Sequence, residues 1–364
     1  MSIVKRIKAA MKSKETKHVT KAEDLLSTGS TLLNLAMTGR IRGGIAKSDY
    51  VLVVGDSQAG KTWIGLTALA EAANNKHFDN YELIYDNVEN GAKMELERFF
   101  GSKMAKRIRP PAGTRDEPVY SETVQELYYN LDDALSAKKP CIYVLDSMDA
   151  LDAEEDIEQF DKEKRAHRKG KETTGSYGMA KAKANSGKIR SIPRKLRKTR
   201  SIVVFIAQTR DKVGGLIPNQ KTRGGGRAMK FYAHIECWLS IKKDIEKDIK
   251  IGSKKSREQQ GIIARIKVEK SRHTGREKKV DVPIYWSFGI DDVGSCVDFL
   301  IERGHWSKKG SNIHAEDFGL STTKSKLIRK IEKRGMEREL QMLVLKVWKS
   351  IDEQLSIHRK SKYE

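Results

Sequence analysis

The residues Gly55-Asp56-Ser57-Gln58-Ala59-Gly60-Lys61-Thr62 carry the spacing G-x-x-x-x-G-K-T. Glycines at this spacing let a backbone wrap a phosphate with its N–H groups, and a following helix presents its N-terminus to the anion. Lys61 would reach the β and γ phosphates of a nucleotide, and the Thr62 hydroxyl would hold Mg²⁺. The context fits this chemistry. The apolar run Tyr50-Val51-Leu52-Val53-Val54 precedes the loop as a buried strand would, and the Ala- and Leu-rich stretch from Trp63 to Ala73 follows as a helix.

Hydrolysis of a bound nucleotide needs more than a cradle. It needs a metal-side carboxylate, a base that orients water, a sensor of the γ-phosphate and a cation for the charge of the transition state. Asp146 closes the apolar run Cys141-Ile142-Tyr143-Val144-Leu145 and suits the Mg²⁺ side. Glu89 is the candidate base and Asp86 its rival; both follow the run Tyr81 to Tyr85. Gln208 closes the run Ser201 to Ala207, where a polar side chain could touch the γ-phosphate. Composition does not single out the cation, because basic residues occur throughout.

Strand-like runs alternating with helical ones predict an α/β core with a mostly parallel central sheet. In such sheets ligands sit at the carboxyl ends of the strands. Gly55, Glu89, Asp146 and Gln208 all fall at such ends. A helix is expected over 120–138. The stretch 152–200 is long and basic. Its first part, with Arg168, Lys169 and Lys171, reads as a mobile loop, and the part from about 178 as a basic helix interrupted near Pro193. A second segment from Thr209 to Lys230 is glycine-rich and carries Arg210, Lys212, Lys221, Arg223 and Arg227. Long glycine-rich loops in compact domains are usually functional. From 232 to 287 short strands return as an antiparallel extension of the sheet, with the charged stretch Lys242 to Glu258 separating the first two. Three units are expected: a basic N-terminal arm over 1–25 that docks on another subunit or on DNA, an ATPase core over 26–292, and a small α-rich C-terminal domain with a polar tail over 293–364.

The formal net charge is +22 and the pI near 9.7, which predicts a polyanionic partner, nucleic acid first. No stretch approaches the roughly 20 apolar residues of a membrane span. The N-terminal stretch lacks the apolar segment of a secretory signal, so a cytoplasmic location is expected. Cys141, Cys237 and Cys296 are far apart and read as small core residues. The histidines have no ligand spacing.

Several dispersed, ordered stretches resemble the RecA-type DNA recombinase family, closest to its phage UvsX-like branch. They are Ser27-Thr28-Gly29-Ser30 ahead of the phosphate loop, Leu145-Asp146-Ser147, Phe205-Ile206-Ala207-Gln208-Thr209-Arg210, Gly225-Gly226-Arg227-Ala228-Met229-Lys230-Phe231-Tyr232-Ala233, and Val268-Glu269-Lys270-Ser271-Arg272 followed by Gly289-Ile290-Asp291. The likeness runs from about residue 25 to 310. It implies a RecA-like fold, ATP with Mg²⁺, single- and double-stranded DNA as partners, and a helical homo-oligomer with active sites between subunits. It also implies that Gln208 switches the second DNA loop, that Lys270 and Arg272 reach the ATP of the neighbouring subunit, and that 155–178 and 210–227 are the DNA-binding loops. Single-strand-binding or mediator proteins would be further partners, and the compartment would be a host cytoplasm. The sequence departs from the family at one point. The family base usually lies two residues after the strand-ending Asp, where this chain has Val88; Glu89 lies three after Asp86. The leading expectation is a DNA-dependent ATPase that forms filaments on single-stranded DNA and drives pairing and strand exchange. A ring helicase or partner-remodelling ATPase, and a non-hydrolysing recombination mediator, remain alternatives.

Overall fold

The computed structural model describes residues 20–90, 94–169, 179–211, 221–223, 226–357 and 359. Most of the arm expected over 1–25 therefore lies outside the described residues. Helix α1 (Thr31–Thr38) starts on Ser30, whose hydroxyl accepts the Leu33 N–H, and ends on Gly39 at a φ of 73°. Strand β1 (Tyr50–Gly55) leads to helix α2 (Lys61–Ala73). Then follow β2 (Glu82–Asp86), β3 (Ile108–Arg109), α3 (Val124–Ser136) and β4 (Cys141–Leu145). A capping box between Thr123 and Glu126 fixes the start of α3.

Helices α4 (Glu154–His167), α5 (Met179–Ile189) and α6 (Ile192–Thr199) precede β5 (Ile202–Asp211). The short α7 (Arg227–Tyr232) opens the antiparallel part, made of β6 (Ile235–Ile251), β7 (Lys254–Ser271), β8 (Lys278–Tyr285) and β9 (Gly289–Ile290). Beyond it come α8 (Asp292–Glu302), α9 (Lys324–Lys333) and α10 (Glu337–Gln354).

The central sheet has the order β9-β8-β7-β6-β1-β5-β4-β2-β3. Neighbours from β6 to β3 are parallel, and those from β9 to β6 antiparallel. The mixed sheet is the one the sequence predicts. Its central strands are apolar throughout because both faces are covered. Val51 and Val53 pack with α1, α2 and the C-terminal helices, whereas Tyr50, Leu52 and Val54 pack with α3 and α6. The three cysteines are buried core residues. No described helix is long and apolar enough to cross a membrane.

The region after α8 is not purely helical. It adds a three-stranded sheet over Ser307–Lys309, Asn312–Ala315 and Leu320–Thr323. Its apolar side chains, Trp306, Leu327 and Leu343 among them, join the same core cluster as α1 and α2. The boundary at 292–293 thus rests on chain order and stays a proposal.

Two stretches differ from expectation, and a third, the helix interruption near Pro193, is found slightly earlier in the chain. The first half of 152–178 is the helix α4, not a loop. Its acidic first turn (Glu154, Glu155, Asp156) and basic last turn (Lys164, Arg165, His167) complement the helix dipole, but none of its residues is buried, so no apolar stripe announces it. The break between α5 and α6 falls at Arg190 and Ser191, and Pro193 sits in the first turn of α6, where its missing N–H is harmless. The charged stretch 242–258 is no separator. It forms the outer half of the long β6–β7 ribbon, paired residue to residue from Glu246↔Gln259 to Ile251↔Lys254.

Candidate active site at the carboxyl ends of the parallel strands

Gly55, Leu239 and Gln208 are register partners across β6, β1 and β5, so these strands end side by side. The phosphate loop turns there into α2. Gly60 has a φ of 92°, and a Cβ on it would lie 2.5 Å from the Ile284 side chain. A Cβ on Gly55 would meet the Leu239 carbonyl oxygen at 2.8 Å. Gly55 thus requires glycine for space against backbone, and Gly60 for its backbone conformation.

Lys61 is buried, and its Nζ donates to the Asp56 carbonyl at 2.6 Å. Burial pushes its pKa down, while the carboxylates of Asp146, Glu89, Asp56 and Asp149 work against that shift. Thr62 Oγ1 donates to Asp146 Oδ2 at 2.7 Å, and Tyr85 OH donates to the same oxygen at 2.9 Å. Burial pushes the Asp146 carboxyl up, partly offset by those two hydrogen bonds. A divalent cation would reverse that balance.

Glu89 closes the site. Its N–H donates to the Asp146 carbonyl at 3.1 Å. Its Oε1 accepts from Gln208 Nε2 at 2.9 Å and from the Ser147 hydroxyl. The Gln208 N–H is held by Asp149 Oδ2 at 2.5 Å, and Thr209 Oγ1 donates to Asp56 in the phosphate loop. Lys61, Thr62, Glu89, Asp146 and Gln208 therefore form one connected cluster. Ser147, Asp149, Tyr85 and Thr209 are members that sequence reasoning missed. Ser147, Thr209 and Tyr85 adjoin residues that it singled out; Asp149 carries no local signal.

Asp86 takes no part in this cluster. It is fully buried and accepts from the Ser121 N–H at 3.0 Å, the Ser121 hydroxyl at 2.7 Å and Tyr143 OH at 2.6 Å. Side chains alternate along β2, so Asp86 shares the face of Ile84 in the α3-side core, opposite α2. Asp146 and Gln208 have the parity of Val144 and Ile206 and face the α2 side.

The donor set suits the groups the sequence implies. A glycine cradle, a buried lysine and the hydroxyl–carboxylate pair Thr62–Asp146 match a nucleotide triphosphate with a hard, oxygen-preferring cation. Among the described residues no group of three or more His, Cys, Asp and Glu could hold a metal by itself. Protein oxygens would thus share the cation with phosphates and water, as Mg²⁺ sites commonly do.

Lys270 and Arg272 lie elsewhere. Lys270 pairs with Glu236 at the start of β6, and the Arg272 N–H donates to the His234 carbonyl, beyond Tyr50. They sit towards the amino ends of the parallel strands; at the usual rise per residue Lys270, level with Leu52, is about 10 Å along β1 from Gly55, and Arg272, near Tyr50, about 15–20 Å. Lys270 Nζ donates to the carbonyls of Lys230 and Phe231 at 2.7 and 2.9 Å, and Arg272 Nη2 to that of Phe231 at 3.1 Å. Both cations thus grip the end of α7.

Of the expected DNA-contacting residues, Arg168 and Lys169 are exposed at the end of α4 and Arg227 is exposed on the first turn of α7. The backbone of Arg210 continues β5, and Lys221–Arg223 returns antiparallel beside it, so the second loop has a β-hairpin stem. Lys171, Lys212 and the side chains of Arg210, Lys221 and Arg223 lie outside the described residues.

Residues 139–291 match the model of the RecA N-terminal domain, a stretch running from β4 to the end of the antiparallel extension. Protein RecA of Thermus thermophilus is 27% identical over 311 residues, covering 85% of this chain and 81% of that protein. Protein RecA of Lactococcus lactis is 27% identical over 289 residues, 79% of this chain and 66% of that protein. Protein RecA of Zymomonas mobilis is 27% identical over 290 residues, 79% and 71%. With its mixed sheet and the cluster at the strand ends, the chain is similar to the RecA-type recombinases.

Proposed function

We propose that this chain is a DNA-dependent ATPase that assembles into filaments on single-stranded DNA and catalyses homologous pairing and strand exchange. The observation that carries this reading is the Glu89–Gln208 hydrogen bond. It joins a residue suited to orienting water to one at the root of the hairpin stem of the expected second DNA loop, 210–227. A change at the γ-phosphate would therefore reach the DNA side through one bond.

Bound Mg²⁺ would neutralise phosphate charge, with Thr62 and Asp146 as its protein oxygens. Lys61 Nζ would exchange its Asp56 carbonyl for phosphate oxygens, and Glu89 would orient the attacking water. We assign Lys270 and Arg272 to the ATP of a neighbouring copy. Their separation from Gly55 supports action in trans, and their grip on α7 supports coupling to the second loop. Single- and double-stranded DNA are the partners, with single-strand-binding or mediator proteins assisting. The site of action is the cytoplasm, the host's if a phage encodes the chain, as the stretches Val268–Arg272 and Gly289–Asp291 suggest.

The test is strand exchange between homologous DNAs with ATP, run beside electron microscopy and phosphate-release assays. Joint molecules, extended helices and DNA-stimulated release are expected. Closed rings would move the reading to a ring helicase, and absence of release to a mediator.

A further inference from the structure

The outer β6–β7 ribbon has no role in the cluster or in the two loops. Beyond Leu239 it loses β1 as a neighbour, and β8 joins β7 only from Gly261. Six register pairs, from Glu246↔Gln259 to Ile251↔Lys254, bond only to each other. At strand rise they span about 20 Å. Because Leu239, Gly55 and Gln208 are in register, the ribbon extends past the same strand ends that carry the nucleotide cluster and the stem of the second loop.

Charge along the ribbon is compensated unevenly. At its base Lys242 and Arg265 both pair with Asp281. Midway Arg257 pairs with Asp248 and Glu246. At the tip Lys250, Lys254 and Lys255 have no ion-pair partner among the described residues, and residues 249–257 contain no carboxylate. Lys250 stands directly opposite Lys255, a like-charge pair that disfavours the ribbon. Ile251, opposite Lys254, is 75% exposed. Two-stranded ribbons are marginal on their own, and no burial in the monomer offsets this repulsion. An anionic partner would.

We propose that the tip docks into a groove of duplex DNA, with Lys250, Lys254 and Lys255 on phosphates and Ile251 against the groove wall. A major groove about 12 Å wide admits a two-stranded ribbon. The inference rests on the proposed DNA-binding function and adds a contact outside the loops.

The test compares the full-length wild type with Lys250→Ala/Lys254→Ala/Lys255→Ala in the presence of ATP. Binding is measured to a duplex and to a single strand of equal length across a salt series, with thermal melting as the fold control. Three lost phosphate contacts predict a log–log salt slope shallower by about 2–3 for the duplex, so that the wild type loses about 40-fold more affinity than the variant between ~50 and ~200 mM salt. Single-strand affinity should change far less. An Ile251→Ser variant should weaken duplex binding without changing the slope. Wild-type duplex affinity and slope in the triple variant would overturn the proposal. So would equal losses on both DNAs, or a loss of self-association with DNA binding intact, which would make the tip a protein contact. A wild type that binds neither DNA removes the DNA reading itself, a result visible before any variant is made.

Discussion

The two ends of the parallel strands are built on opposite plans. At the carboxyl ends every functional side chain has a partner within the chain: Lys61 on a carbonyl, Thr62 on Asp146, Glu89 on Gln208. At the amino ends Arg272 is exposed and Lys270 half-buried, and the hydrogen bonds they donate go to carbonyls at the end of α7. One end is a closed cluster of acceptors around a phosphate loop. The other is a pair of cations against the end of a short helix. On the proposed reading each would supply what the other lacks, and strand register holds them apart in one chain. Complementary patches on opposite ends of a subunit are what a head-to-tail assembly uses.

The largest expected effect tests this complementarity. Lys61→Ala should lower ATP turnover by at least about 100-fold, since it removes the buried cation at the phosphates. Lys270→Ala/Arg272→Ala should bind nucleotide as the wild type does but turn over and assemble poorly. When the two inactive proteins are mixed equally, about a quarter of head-to-tail junctions would join an intact loop to an intact cation pair. Recovered turnover in the mixture is expected; a mixture as inactive as its parts would place both functions in one subunit.

A second test separates the two carboxylates. Glu89→Gln should cut turnover by roughly 100- to 10,000-fold while leaving nucleotide binding and melting unchanged. Asp86→Asn should instead destabilise by about 1–3 kcal/mol, because the amide keeps one acceptor oxygen but turns an NH2 donor on buried hydroxyls that had donated to the other. Equal turnover in wild type and Glu89→Gln, beside an inactive but folded Asp86→Asn, would exchange their roles.

The smallest effect concerns the amino ends alone. His273 Nε2 lies 2.8 Å from Asp49 Oδ2, and that hydrogen bond raises the imidazole pKa above its ordinary 6.5 despite burial. A raised folded-state pKa stabilises fully below 6.5 and less as pH rises through the folded value. Melting curves of wild type and His273→Gln should therefore differ most at low pH and converge as pH increases. A constant difference would mean that the pair contributes packing rather than charge.

Much of the nucleotide end was legible. Gly55 to Thr62 sits between a continuous apolar run and an Ala-rich helix, and Asp146 and Gln208 each end a run of their own. The amino ends were legible only through resemblance, because Lys270 and Arg272 look like any other basic residues in a chain with 71 lysines and arginines. Helix α4 was missed because it buries nothing, and the outer ribbon because charges mask the alternation of a strand exposed on both faces. Tyr85 and Asp149 reach the site through strand neighbours far away in sequence, which no local pattern records.

The sequence by itself determined the phosphate loop, since only glycine tolerates the backbone at Gly60 and the close approach at Gly55. It also determined the buried parallel strands, whose unbroken apolar runs need cover on both faces. Tertiary structure decided which acid faces the nucleotide. Strand parity can be counted along the chain, but which face receives α2 depends on how the strands and helices pack, and that turned Asp86 to Tyr143 and left Glu89 beside Gln208. It decided, too, that the phosphate loop and the Lys270–Arg272 pair lie apart along β1, because the register of β6 and β7 against β1 fixes that separation.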